Sequence, residues 1–329
     1  SQARAGRRPP PAVIFICALC WVLTYFLFPG SIASTVLEGS PSAWQPARDF
    51  LLPGWADRIV SFLIYATIGY FLIELNNQFS ITRMRASMQT AIYFLLVTVC
   101  PKMHYLYTGD IIALGFLISI YFLFKSYQQT QAAGYLFYSF FFIGAGSILF
   151  PQFTILSVLW LLEAYRFQSL TPRSFCGALL GWMLPYWMLF GHAFFYNEME
   201  LFYRPFNQLL TIGEFFNLQI LQPWELAILG YLLVMFIVSA VHCIAAGFED
   251  KIRTRAYLQF LIDLTIFLFL LIALQPIYCS ALLPLLIISN SILIGHFFVL
   301  TNSKSSNVFF IISLVGLILL FAFNIWTLL

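Results

Sequence analysis

Long apolar stretches alternate with short polar connections along most of this chain. Eleven of them approach the roughly 20 residues that an α-helix needs to cross a bilayer. They cover residues 11–28, 57–76, 86–101, 108–124, 133–149, 152–166, 174–196, 223–246, 256–275, 279–300 and 307–328. The pattern predicts an all-α fold: a polytopic helical membrane protein with about eleven transmembrane helices, several of them short or broken.

Three of the predicted helices look short for a full crossing. The stretches 133–149 and 152–166 are divided at Pro151, and 86–101 has a similar length. Two explanations stay open. Either the bilayer thins locally and polar side chains reach the interface, or the short helices line a cavity that protein and water cover.

The basic residues are distributed unevenly between alternate connections. With the N-terminus on the cytoplasmic side, twelve of the 16 lysines and arginines fall in or beside cytoplasmic connections. The other four are Arg48, Arg58, Lys102 and Arg204. Because cytoplasmic loops of membrane proteins carry the excess of positive charge, the chain is predicted to have its N-terminus inside and its C-terminus outside.

The composition agrees with the membrane class. Hydrophobic residues make up 61% of the chain and charged residues only 9%, a balance that is not typical of water-soluble globular domains. The longest polar connections are 29–56 and 197–222, and both are predicted to lie outside. Residues 1–329 are therefore predicted to form a single transmembrane helical domain without a soluble domain.

Several kinds of chemistry find no support in the sequence. The net charge is +3, and the basic residues form no stripe that would indicate nucleic-acid binding. No glycine-rich phosphate loop of the GxxxxGK type occurs. The six cysteines are scattered apart from Cys17 and Cys20, and no second pair completes a zinc site. We therefore predict no metal and no cofactor.

Candidate chemistry is concentrated on the predicted outer face. The first outer loop and its junction carry Asp49 and Asp57, the second outer turn carries Lys102 and His104, and the long loop carries Arg204. A carboxylate can remove a proton from an acceptor hydroxyl, and donor side chains can hold a phosphate. Asp49 or Asp57 is the predicted catalytic base, and Lys102, His104 and Arg204 are the predicted phosphate-binding residues. Solvated loop charges are the alternative interpretation.

Two stretches carry a resemblance to a known family. They are NNQFSITRMRASMQTAIYFLL at 76–96 and PKMHYLYTGDIIALGFLISIYFLFKSYQ at 101–128, followed by a break at Phe150 and Pro151. Over roughly residues 60–200 the chain resembles a family of bacterial inner-membrane proteins without an assigned activity. The resemblance implies a multi-pass protein of the bacterial inner (cytoplasmic) membrane.

The predicted architecture is also similar to that of the C-type (GT-C) membrane glycosyltransferases. Those enzymes have an inside N-terminus, a long first outer loop that bears a catalytic acid, and short helices around a lipid-sugar cavity. The similarity implies that Asp49 or Asp57 stands where their first-loop base lies, and that Lys102, His104 or Arg204 holds phosphate. The first outer loop of this chain has no adjacent acidic pair.

Three functions remain open from the sequence. The first is an enzyme that transfers a glycosyl or related group from a polyprenyl-phosphate donor at the outer leaflet. The second is a non-catalytic subunit of a secretion, envelope-assembly or energy-coupling complex, in which Gly144, Gly146, Gly177 and Gly181 would pack against other membrane proteins. The third is a transporter, although the internal repeat common in transporters is not visible. The predicted partners are membrane lipids, a polyprenyl-phosphate lipid and other membrane proteins.

Overall fold

A computed structural model describes residues 11–27, 54–82, 86–210, 215–301 and 304–327. These ranges contain twelve α-helices and no β-strand, which confirms the all-α fold class for the described residues. The helices are α1 (Pro11–Leu27), α2 (Gly54–Phe79), α3 (Ala86–Thr98), α4 (Thr108–Lys125), α5 (Ala133–Leu149), α6 (Leu156–Arg166), α7 (Pro172–Phe195), α8 (Met199–Leu210), α9 (Pro223–Ala245), α10 (Ile252–Leu274), α11 (Cys279–Leu300) and α12 (Lys304–Trp326).

The lengths of the helices indicate a multi-pass membrane protein. Within the described ranges seven helices are long and apolar enough to cross a membrane, namely α2, α4, α7, α9, α10, α11 and α12. Helices α1, α3 and α5 are apolar but shorter. Since a membrane-spanning helix needs about 20 residues, these seven match the predicted class of protein. The count of eleven crossings stays a prediction.

The predicted helix at 152–166 is divided in the structure. A 3-10 turn, Pro151–Ile155, precedes α6, which has 11 residues. At 1.5 Å per residue α6 is about 16 Å long, about half the thickness of the hydrocarbon core. The division begins at Phe150, whose backbone is extended, because a residue before proline is pushed out of the helical region.

The described residues form two compact units. The first comprises the described residues of 1–39, 51–110 and 215–329, and the second comprises those of 40–50 and 111–214. In the first unit α11 is the central helix: residues 282–297 are all buried, and α3, α9 and α10 pack against it. A helix that is apolar on every side is expected to be enclosed in this way.

In the second unit the backbones of α5 and α7 approach closely at glycines. A Cβ atom built on Gly144 would lie 2.5 Å from the carbonyl oxygen of Trp182, and one built on Gly181 would overlap the carbonyl oxygen of Phe137. A Cβ on Gly177 would lie 2.8 Å from the carbonyl oxygen of Ala133. Small residues permit this contact, so the glycine spacing is used for packing within the chain.

The sequence predicts that the long connection 197–222 is a loop, but part of it is helical. Its first part forms α8, which is amphipathic and carries Arg204. Aromatic residues hold α8 against the end of α7: the rings of Phe202 and Phe190 lie 5.3 Å apart, as do those of Phe206 and Tyr186. A scan of hydropathy along the chain misses this helix because its apolar residues occupy one face only.

Candidate functional site

The candidate site of the first unit is built around the connection between α3 and α4. Helix α3 ends at Thr98, a 3-10 turn, Pro101–His104, follows, and α4 begins at Thr108. Residues 100–110 are buried except Lys102, which is half-buried. The sequence places these residues in an outer turn, yet α1, α2, α9 and α12 contribute side chains that cover it. One of these covering contacts is a hydrogen bond of 2.7 Å that the Nδ2 of Asn324 donates to the carbonyl oxygen of Val99.

His104 lies on the interior side of this turn. It is fully buried, its Nδ1 is 2.9 Å from the Oγ1 of Thr24, and its ring stacks on Trp21 with the ring centres 4.1 Å apart. Burial, and after it the nearby charge of Arg58, lowers the pKa of His104 to about 3. The imidazole is therefore neutral at physiological pH and brings no positive charge to a phosphate.

This burial makes stability depend on pH in a defined window. The unfolded chain takes up a proton near the ordinary histidine pKa of 6.5, whereas the folded chain does so only near 3. The contribution of His104 is therefore present above pH 6.5 and is lost as the pH falls toward 3, by at most about 1.4 kcal/mol per pH unit. We expect the midpoint of thermal unfolding to fall on acidification, and to fall less steeply in His104→Asn. Equal slopes for the two proteins would contradict this role.

Arg58, near the start of α2, is a buried cation that the sequence used only for orientation. It is 6% exposed and donates a hydrogen bond from Nη2 to the hydroxyl of Tyr105. Its guanidinium carbon lies 4.3 Å from the ring centre of Tyr105 and 5.2 Å from that of Tyr25. The guanidinium therefore lies over two aromatic rings, and such contacts stabilise a cation in an apolar setting.

A groove of about 360 Å³ runs between α1 and α2 beside this arginine. Its lining residues are Ala18, Trp21, Val22, Tyr25, Phe26, Trp55, Arg58, Ile59, Phe62 and Leu63. Among the described residues Arg58 is the one charged member of this lining, and its guanidinium carbon lies 5.2 Å from the ring centre of Tyr25. Trp55 and Leu63 are 58% and 57% exposed, so the groove opens on an apolar outer surface of the two helices.

Two buried acidic residues belong to the same region. Asp57 is buried and acts on the phenol of Tyr105: burial raises the pKa of Tyr105, Arg58 lowers it, and the Asp57 carboxylate raises it. Asp110, in the first turn of α4, is also buried and accepts a hydrogen bond from the hydroxyl of Tyr65 at 2.5 Å. The sequence singled out Asp57 but gave Asp110 no role.

Lys102 occupies the edge of the same region, next to the start of α9. Its Nζ lies 5.2 Å from the ring centre of Trp224. Partial burial lowers the pKa of Lys102, and the neighbouring Glu225 raises it. Because Lys102 is only partly buried, it is a cation that a ligand can reach.

The structure therefore brings three of the five predicted site residues into one region. Asp57, Lys102 and His104 all belong to the first unit, around the turn that connects α3 to α4. Asp49 lies outside the described residues. Arg204 belongs to α8 in the second unit. The sequence placed Arg58, Tyr105 and Asp110 on the outer face without assigning them a catalytic or binding role. The adjacent Asp57 and Arg58 at the start of a predicted helix were the available signal.

Within the described ranges no group of three or more His, Cys, Asp or Glu side chains is placed to hold a metal ion. No protein-family model, curated protein or solved structure matches the chain. The resemblance carried by residues 76–96 and 101–128 and the similarity to GT-C glycosyltransferases therefore stay predictions.

Proposed function

We propose that this protein is a membrane-embedded transferase that takes a glycosyl or related group from a polyprenyl-phosphate donor at the outer leaflet. The observation that carries the proposal is the apolar groove between α1 and α2, in which the buried Arg58 is the one charged lining residue that the structure describes. A polyprenyl chain needs an apolar surface, and a phosphate needs a strong cationic donor. The groove offers both within a few ångströms.

We expect the phosphate to reach Arg58 from the groove, because both Arg58 and Tyr25 line it. Arginine binds phosphate through two parallel N–H···O bonds, and the ring of Tyr105 stabilises the guanidinium from 4.3 Å away. Lys102 supplies a second, more accessible cation. His104 is neutral and has the role of positioning α1 through Thr24 and Trp21.

Asp57 is the proposed general base. Its carboxylate removes the proton from an acceptor hydroxyl, and the acceptor oxygen forms a bond to the transferred carbon. The bond between that carbon and the phosphate oxygen breaks, and its electron pair stays on the lipid phosphate. Arg58 and Lys102 stabilise the charge that develops there.

We further propose eleven crossings in the bacterial inner membrane, with the N-terminus inside and the groove toward the outer leaflet. Contacts in the first unit join helix ends that the charge pattern assigns to the same side. Arg58 contacts Tyr105, and Lys102 contacts Trp224, at ends assigned outside. Arg253 lies over Phe79 at ends assigned inside. These contacts support the alternation of helix directions within the first unit.

The two alternative functions have less support. Gly144, Gly177 and Gly181, which suggested packing against partner proteins, contact backbone atoms of this chain. A transporter would be expected to bind its cargo near the bilayer midplane, whereas the groove lies between the last turns of α1 and the first turns of α2.

The proposed base is tested by replacing the two predicted acids singly. In vesicles supplied with a polyprenyl-phosphate sugar labelled in the sugar, we expect Asp57→Asn to lower transfer about 100-fold or more. Asp49→Asn should transfer normally, as should Asp263→Asn, which changes an acid of α10 that bonds Gln259. Folding is checked by monodisperse elution in detergent. Normal transfer by Asp57→Asn would remove the assignment, and absence of transfer by the unmodified protein would remove the enzymatic proposal.

A further inference from the structure

Asp110 is an acid that the proposed reaction does not use. It is completely buried at the start of α4. Its hydrogen-bond partners in the described part of the chain are the hydroxyl of Ser61 at 3.0 Å, the hydroxyl of Tyr65 at 2.5 Å and the backbone N–H of Tyr107 at 3.4 Å. A carboxylate taken out of water in this way is costly unless a cation or several strong donors accompany it.

Among the described residues, the charged and titratable groups that act on Asp110 include no cation. They are Asp57 and Tyr65 from α2, Tyr93 from α3 and Tyr107 from the preceding turn. The Asp57 carboxylate repels a second negative charge. The N-terminus of α4 favours one, but the backbone N–H that bonds the carboxyl group, that of Tyr107, lies at the long distance of 3.4 Å. This attraction is much weaker than the cost of removing a carboxylate from water.

The hydroxyl and carboxyl protons of Ser61, Tyr65 and Asp110 can each be assigned to an acceptor. The single hydroxyl proton of Ser61 faces two acceptors, the carbonyl oxygen of Met103 at 3.2 Å and the Oδ2 of Asp110 at 3.0 Å. If Asp110 is ionised, Ser61 can donate to only one of these two acceptors, and when it donates to Met103 the Oδ2 retains only the long 3.4 Å hydrogen bond from the N–H of Tyr107. If Oδ2 carries a proton, Asp110 donates to Ser61, Ser61 donates to Met103, and Tyr65 donates to Oδ1. Each proton is then used once, as buried polar groups require.

We propose that Asp110 is a proton-binding site within the membrane domain, whose carboxyl group is held in the protonated form at neutral pH by Ser61 and Tyr65. Asp57, the general base of the proposed reaction, is the second acid of the same region and acts on Asp110. A protonated carboxyl group beside an acid that acts as a base is one way in which a protein prepares an acid and a base side by side. This proposal goes beyond the transferase reaction and does not depend on lipid binding.

Infrared spectroscopy of the purified protein in nanodiscs tests the proposal directly. At neutral pH we expect a carbonyl band of a protonated carboxylic acid, which shifts in deuterium oxide. Asp110→Asn should lose this band with the area of one carboxyl group, whereas Asp263→Asn should keep it. An unchanged band in Asp110→Asn, or no such band in the unmodified protein, would overturn the proposal. A band that disappears when sodium replaces potassium would also overturn it, because the site would then bind a metal cation.

A second variant keeps the test decisive if Asp110→Asn does not fold. Tyr65→Phe removes the hydroxyl that donates to Oδ1 and leaves the acid in place. We expect the same band at higher frequency with unchanged area, because a carbonyl that loses a hydrogen bond stiffens. A band that does not move in Tyr65→Phe would contradict the assignment to Asp110.

Discussion

Replacing Arg58 by glutamine should weaken the binding of polyprenyl phosphate about 10- to 100-fold, because a hydrogen bond to a charged group contributes about 1.5–3 kcal/mol. The guanidinium belongs to the groove lining and lies over the rings of Tyr25 and Tyr105. Binding can be followed in nanodiscs by displacement of a brominated lipid that quenches Trp21 and Trp55, two residues of the groove lining. The polyprenol without phosphate should bind the unmodified protein and Arg58→Gln equally.

Arg253 offers a matched control at the opposite ends of the helices. It donates a 2.6 Å hydrogen bond to the hydroxyl of Tyr257 and lies over the rings of Phe79 and Tyr257. The chemistry resembles that of Arg58, but Arg253 does not line the groove. Arg253→Gln should leave phosphate binding unchanged. If Arg204→Gln weakens binding while Arg58→Gln does not, the phosphate site is the one that the sequence predicted on α8 and the groove is not the donor site.

Replacing Gly181 by alanine should destabilise the second unit by about 1–3 kcal/mol, which is the usual cost of overpacking a tight contact. The added methyl group would overlap the carbonyl oxygen of Phe137. This neighbour is backbone and cannot rotate away, so α5 and α7 must separate. Thermal unfolding in detergent, followed by loss of the monodisperse species, measures the effect.

The same helix provides the control for this substitution. A Cβ atom on Gly191 would meet nothing within 4 Å, and alanine is the better helix former by about 1 kcal/mol. Gly191→Ala should therefore be neutral or stabilising. Equal unfolding temperatures for the unmodified protein and Gly181→Ala would show that α5 and α7 do not pack through these glycines.

Most of the helices could be predicted from hydropathy, because the bilayer requires long apolar segments. The segment 133–149 is predicted with the same limits as α5. Helix α2 is longer than its predicted segment, 57–76, and continues through polar residues to Phe79. Its last turn is stabilised by contacts outside the segment, since the ring of Phe79 packs 5.5 Å from that of Tyr257. Hydropathy reads one segment at a time and misses such contacts.

Only part of the candidate site could be predicted from the sequence. Lys102, His104 and Asp110 are neighbours in the chain, so their grouping in one turn could be predicted. The burial of that turn could not, because it is covered by residues far away in sequence. Thr24 lies 80 residues from His104, and Asn324 lies 225 residues from Val99. For the same reason the sequence indicates only that Arg58 is a charge at a helix end, which helps to orient the chain in the membrane. In the folded chain its guanidinium lies over the rings of Tyr25 and Tyr105.

The most direct test of the proposed lipid site is native mass spectrometry of the protein released from its own membrane. We expect the unmodified protein to carry a polyprenyl phosphate or a polyprenyl-phosphate-linked sugar, and we expect Arg58→Gln to have lost it while Arg253→Gln retains it. Contradiction would come from an unmodified protein that carries only bulk phospholipid, or from an Arg58→Gln variant that holds the isoprenoid phosphate as firmly as the parent chain.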